Sequence, residues 1–391
     1  SSTGGLSCGR GNPESSLFPY YTDDKIHDAQ TTTGPLTIFL VNRKDRKYLW
    51  KPFCPDTSVY RIERNLYKNQ IGNQLIFEEI NHDLGMVFSY SWSTGNQFGF
   101  IKHSTLQNTG DTDAEVAVLD GLRNLLPAGV TRRLQSEFST LVDAYKQAET
   151  VPGQTAALYS MSSILTDLAE PSEALKATVA WSTGLENPKL LLSEDQVAGF
   201  CSGSQVSTET IKKGKRSAFL LQPDLVEPSG GLNSWSIQAD VDQGPAQVAR
   251  LISSINKGIS ARDIEKDIEA GSLILLQLVG SADGCQCSSD ILTNSRHFSN
   301  TLFNIMRGGT FYDEYSFPLD DFLHFVGIWN RPLQKKCRDL FGSKDKTQTL
   351  DSMLSIAENS SDGDMQRLVL EYLPLTFSRR HGDPSRPGHA F

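Results

Sequence analysis

Residues 169–185 read AEPSEALKATVAWSTGL, placing Glu170, Glu173 and Lys176 just ahead of Trp181. Two carboxylates, a cation and an aromatic ring can work on a glycosidic bond. One carboxyl protonates the leaving oxygen, the other attacks or activates water, and the ring stacks on a sugar face. The same residues also suit scaffold. Pro171 fits the first position of a short helix, Glu173 its first turn, and Lys176 offsets a nearby carboxylate. Scaffold is favoured over a sugar-contacting role for Glu170 and Glu173.

Other acids read similarly. Asp320 and Asp321 lie between Pro318 and Phe322, where a helix start explains adjacent carboxylates. Glu78 and Glu79 sit in strand alternation. Asp120, Arg123 and Asn124 stand polar among the apolar residues of VLDGLRNLLPAGV (118–130). Buried polar groups need partners, so these three form a turn-fixing network or contact a ligand; both readings stand. Trp50, Trp92, Trp181 and Trp235 are candidate stacking platforms, against the usual fate of large aromatics, which is burial. The candidate carbohydrate contacts are therefore Trp50, Trp92, Asp120, Arg123, Asn124, Glu170, Glu173 and Trp181.

No residue earns a catalytic role. The chain lacks Gly-x-Ser-x-Gly, His-Glu-x-x-His and a phosphate-cradling Gly-x-x-x-x-Gly-Lys-Ser/Thr. Its seven histidines are scattered without metal-ligand spacing, and Cys285 and Cys287 lack a second ligand pair. No metal or cofactor is expected.

The elements that would position these residues fall into three zones. Residues 1–35 are rich in Ser, Thr, Gly, Pro and Asp and read as an extended arm, suited to wrapping a protein partner. Residues 36–240 carry short alternating runs broken by turn residues, the pattern of an antiparallel β-sandwich. One helix is expected inside that zone near 130–150, where Leu134, Phe138, Leu141, Val142 and Tyr145 recur at helical spacing. Residues 241–391 are mainly helical. The apolar run GSLILLQLVG (271–280) reads as a buried strand or a core helix turn. The fold class is α+β.

At 391 residues the chain suits two or three domains. A net charge of −9 argues against nucleic acid, whose phosphates favour a basic face. The single dense basic cluster, KKGKR (212–216), reads as a solvated loop. No run is long enough to span a membrane, so a soluble chain is expected. The six dispersed cysteines read as free thiols. The opening Ser-Ser-Thr-Gly-Gly fits a removed leader or a trimmed chain, so localisation is unreadable.

Four stretches together carry a resemblance: VLDGLRNLLPAGV, LAEPSEALKATVAWSTGL, RHFSNTLFNIMRGGTF and RRHGDPSRP. From about residue 36 to 387 the chain resembles the N-terminal region of large bacterial proteins related to cellobiose phosphorylases. That resemblance implies a β-supersandwich followed by helices, with catalytic carboxylates borne by an (α/α)6 barrel that this chain lacks. It implies a carbohydrate-binding or accessory, non-catalytic module that engages an oligosaccharide. The alternative is a structural or interaction subunit that kept the fold without the chemistry.

Overall fold

The computed structural model describes residues 4–377 except 11–13, 20–24, 44–45, 57, 164–174, 228, 283, 286–287, 307–308, 312–315, 342–345 and 373–374. It divides into two compact units, Ser1–Ser272 and Leu273–Phe391.

The first unit is a sandwich of two antiparallel sheets. Its early strands are β1 (Gly34–Arg43), β2 (Arg46–Trp50), β3 (Ile62–Lys68), β4 (Leu75–Asn81) and β5 (Met86–Gly95). The middle strands are β6 (Gly99–Asn108), β7 (Ala114–Leu125), β8 (Lys146–Thr150), β9 (Ala156–Met161) and β10 (Ala177–Thr183). The last are β11 (Lys189–Leu191), β12 (Ile211–Lys213), β13 (Ser217–Gln222), β14 (Asp224–Glu227) and β15 (Leu232–Gln243). The smaller sheet runs β11-β13-β7-β1-β2, with β14 on β7; the larger runs β12-β8-β9-β10-β15-β6-β5-β4-β3.

Strand composition follows from burial. β1 is apolar on both faces because both are covered: Phe39 and Val41 face the core between the sheets, and Ile38 faces the outer layer. The main core joins Phe39 and Phe219 of the smaller sheet to Phe88, Tyr159 and Trp235 of the larger. Helix α1 (Lys25–Asp28) precedes the strands, and α4 (Val197–Cys201) covers the outside of the smaller sheet through Phe200. Helices α5 (Pro245–Lys257) and α6 (Ala261–Ser281) lay Leu251, Ile255 and Ile264 over Phe98, Ile101, Val179 and Trp181 on the outside of the larger sheet.

Two expectations need correction. Residues 130–150 are not one helix: α2 (Arg132–Glu137) and α3 (Ser139–Tyr145) are separated at Phe138, and Lys146–Thr150 is β8, paired to both β9 and β12. Ladder pairing and the burial of Ala148 override the helix-forming composition of KQAET. Of the two readings of the apolar run 271–280, strand or helix turn, the structure takes the helical one, continuing α6 from a start at which Ser260 and Asp263 cap each other. Leu273, Ile274 and Leu278 are exposed in it while Val279 is buried.

The second concerns residues 1–35. Leu17 and Phe18 are fully buried in the main core, and the Leu126 amide donates to the Leu17 carbonyl at 3.0 Å. Those parts of the opening segment that the structure describes thus belong to the sandwich itself.

The second unit is helical, with α7 (Ile291–Met306), α8 (Leu319–Trp329), α9 (Arg331–Phe341), α10 (Leu350–Glu358) and α11 (Gly363–Glu371). Short strands β16 (Gly309–Phe311) and β19 (Leu375–Phe377) pair, as do β17 (Ser316–Pro318) and β18 (Thr347–Thr349). Its own core gathers Phe317, Phe322, Leu333, Cys337, Met353 and Leu368. Asp320 and Asp321 occupy the first turn of α8, and Asp321 accepts from the Tyr372 hydroxyl at 2.7 Å. Helix-start chemistry accounts for that acid pair.

Candidate functional site

A groove lined by many polar side chains, about 590 Å³, opens in the first unit beside the start of α5. Four stretches far apart in sequence build it. The β5–β6 hairpin brings Asn96, Gln97 and Phe98; the end of β15 brings Asp240, Asp242 and Gln243; α5 brings Gln247 and Arg250; and the opening segment brings Arg10. Trp181 of β10 underlies it, packed edge-on against Phe98 at 5.5 Å between ring centres.

The hairpin is anchored from α6. The Asp267 carboxylate accepts the backbone N–H of Gln97 at 2.9 and 3.1 Å and of Phe98 at 2.9 Å. It stands over Gly95, where a Cβ would lie 1.9 Å from Asp267 Oδ2. Only glycine leaves room for this clamp.

The charges in the groove are organised. Arg10 donates to the Asn96 carbonyl and to Asp240 at 3.0 Å; Gln243 donates to the same Asp240 oxygen at 3.0 Å. Burial pushes the Asp240 carboxyl up, while Arg10 and the Val241 amide pull it down. Asp242 has left-handed backbone geometry (φ 59°) and pairs with Lys176 at 2.8 Å. Gln247 accepts the Gly244 N–H at 2.8 Å, which fixes its side chain at the helix start. Planar amides, carboxylates and guanidinium groups around a concave surface match the paired donors and acceptors of vicinal hydroxyls.

The residues named from sequence go elsewhere, except Trp181. Trp50 and Trp92 are buried, so neither offers a face to a sugar, and the same holds for Trp235. Trp50 Nε1 donates to Glu79 at 2.7 Å, and Trp92 packs edge-on against Phe18. Trp181 is buried too, so it supports the groove from beneath. Asp120, Arg123 and Asn124 do not form one network. Asp120 faces the core, where Lys102, Thr37 and Trp235 donate to it at 2.6–2.7 Å. Asn124, at φ 56°, donates to Thr33 at 2.8 Å and fixes the strand end. Arg123 points to the opposite side and lines a second cavity. Glu170 and Glu173 lie outside the described residues.

The basic cluster at 212–216 is largely neutralised. Lys212 and Lys215 share Asp195 at 2.9 and 2.6 Å, and Arg216 approaches Asp143 at 3.7 Å. The two lysines hold Asp195 down at about 2. Among the described residues no cluster of His, Cys, Asp and Glu suits a metal ion, and no helix is long and apolar enough to cross a membrane.

Sequence reasoning missed Arg10, Asn96, Gln97, Asp240, Asp242, Gln243, Gln247 and Arg250. The available signal was SIQADVDQGP (236–245), where acids alternate along a strand that runs into a proline-started helix.

Residues 311–374 match the model of glycoside hydrolase family 149 insertion domain 1. That match spans α8–α11, the helices around the second unit's core. Distant likenesses among solved structures include three proteins. A bacterial glucoamylase complexed with acarbose has 7% identity and a TM-score of 0.36, covering 71% of this chain and 33% of its own. A structure described as a kojibiose phosphorylase from the human microbiome has 7% identity and a TM-score of 0.30, covering 72% and 29%. A family GH92 α-mannosidase from Bacteroides thetaiotaomicron has 9% identity and a TM-score of 0.32, covering 82% and 44%. The chain thus spans less than half the length of each. No curated protein matches it. Residues 311–374 are thus similar to an insertion domain of glycoside hydrolase family 149.

Proposed function

We propose that this chain is a non-catalytic, carbohydrate-engaging part of a glycoside hydrolase- or phosphorylase-like protein, and that the groove beside α5 holds a neutral oligosaccharide. The observation that carries this reading is the groove's wall: Asn96, Gln97, Asp240, Gln243, Gln247 and Arg250 converge from separate segments on one concavity. Binding is supported over bond cleavage because Asp240 already accepts from Arg10 and Gln243. Glycoside cleavage needs two carboxyls flanking one bond, and the two that line the groove among the described residues, Asp240 and Asp242, are each already engaged by a cation, Arg10 and Lys176.

The test is calorimetric titration of the full chain with a panel of neutral gluco-oligosaccharides, repeated with Arg250→Ala and Gln247→Ala. Saturable binding that either exposed-site variant weakens about tenfold supports the reading. Binding that both variants leave untouched, or no binding across the panel, rejects it. Turnover of any oligosaccharide by the isolated chain rejects the non-catalytic part.

A further inference from the structure

A second cavity of the first unit, about 250 Å³, lies between the loop 51–55, β1 and α4. It is smaller than the ~300–1,000 Å³ typical of drug-sized ligand sites and suits a single sugar ring. Its walls are largely apolar, from Pro35, Leu36, Ile38, Pro52, Phe53 and Val197.

The charge of this cavity is unusual for the molecule. The protein carries a net charge of −9, yet among the described residues the charged side chains lining this cavity are two cations, Lys51 and Arg123. Lys51 is exposed at the rim; Arg123 is largely buried. Arg123 is also incompletely used. Nη2 donates to the Gln30 carbonyl at 2.5 Å, Nη1 lies 3.8 Å from Glu194, and the buried Nε has no hydrogen-bond partner. A buried guanidinium nitrogen without an acceptor is costly, and the edge it shares with Nη2 is the one a carboxylate binds with two oxygens. Burial also weakens the hold of Arg123 on its proton, and Glu194 offsets this only in part.

The loop is shaped to keep this space open. Phe53 sits at φ 60°, a strained geometry for a non-glycine residue. Its N–H donates to Glu79 at 2.7 Å, and its carbonyl accepts from Gln30 at 2.8 Å. The next residue, Cys54, is a half-buried free thiol in the cavity wall.

We infer that this cavity binds a small organic carboxylate of monosaccharide size, such as a hexuronate, with its carboxylate on Arg123 and its ring between the apolar walls. The inference does not depend on the groove beside α5. The incoming anion takes the Nε–Nη2 edge and leaves Glu194 near Nη1, and Lys51 supplies attraction at the entrance.

The experiment reads Cys54. The full chain is alkylated with N-ethylmaleimide, and each cysteine is followed by peptide mass spectrometry, with exposed Cys285 as internal control. Glucuronate is expected to slow Cys54 alkylation saturably and leave Cys285 unchanged, whereas glucose at equal concentration has no effect. Arg123→Gln is expected to abolish protection. Lys51→Gln, at an exposed side chain that cannot endanger folding, is expected to raise the half-maximal glucuronate concentration by about threefold, the scale of a solvent-exposed charge contact. Equal protection by glucose, no protection by glucuronate, or protection unchanged by Arg123→Gln or by Lys51→Gln would overturn the inference.

Discussion

Lys102 Nζ lies 2.6 and 2.7 Å from the two oxygens of Asp120, and both side chains are fully buried between the sheets. Thr37 and Trp235 also donate to the carboxylate, Ser104 accepts from the ammonium, and the aromatic faces of Phe88 and Tyr90 lie near the cation. One buried charge is tolerable here only because the other is present. Asp120→Ala should cost about 3–5 kcal/mol by leaving Lys102 uncompensated, whereas the paired change Lys102→Met with Asp120→Leu should cost clearly less, because it removes the unpaired charge and strands only the neutral Thr37 and Trp235 donors. Urea unfolding of the three proteins measures this, and equal losses in single and double variants would contradict it.

Glu79 repeats the pattern nearer the edge. It is buried and accepts from Trp50 Nε1 at 2.7 Å, the Phe53 amide at 2.7 Å and Arg64 Nε at 2.8 Å. Glu79→Ala strands the indole and the Phe53 N–H together, so a loss of about 3 kcal/mol is expected. Faster alkylation of Cys54 should accompany it, because the 51–55 loop loses its anchor.

Alternation made much of the sandwich legible. β5 places Met86, Phe88, Tyr90 and Trp92 inward at every second position, and the two-sided covering of β1 shows as the apolar run Ile38–Val41; the inward faces of β4 and β6 also carry Glu79, Asn81, Lys102 and Ser104, which alternation does not reveal. The helix start at Asp320-Asp321 was readable from local chemistry alone. The groove was not, since Arg10, Asn96, Asp240 and Arg250 meet only after the sheets form, and no local period encodes a meeting of four distant segments. Leu17-Phe18 escaped for a related reason: two apolar residues in a polar stretch carry no periodicity, although both end in the core. Asp120 stayed open between a turn-fixing network and a ligand contact because sequence cannot show that Lys102, on another strand, meets it inside.

The Gly95–Asp267 clamp has a measurable signature. Gly95→Ala drives a Cβ into the carboxylate and frees the Gln97 and Phe98 amides, at a cost of about 1–3 kcal/mol. In an Asp267→Ala background the same substitution should cost much less. A double-mutant cycle on unfolding free energy tests the coupling, and additive losses would refute the clamp.

His103 sets part of the acid sensitivity. Burial lowers its pKa below the ordinary 6.5, with Glu265 opposing and Lys102 reinforcing, and Nδ1 bonds the Ser236 hydroxyl at 2.8 Å. The folded state therefore keeps the imidazole neutral at a pH where the unfolded chain takes up a proton. Stability from this residue is complete above the unfolded value and falls as pH drops through 6.5 towards the folded value. His103→Gln should flatten the decline in unfolding free energy between about pH 7.5 and about pH 5.5. An unchanged decline would assign it to other groups.

The pairing of β6 with β15 joins Phe100 to Ala239 and Gln107 to Leu232. A chain emerging from the ribosome has β3–β6 ready long before their central neighbour exists, so a broad apolar ladder edge waits uncovered while more than a hundred residues are synthesised. Chaperone demand during synthesis is built into that strand order, and it should ease abruptly once β15 is delivered.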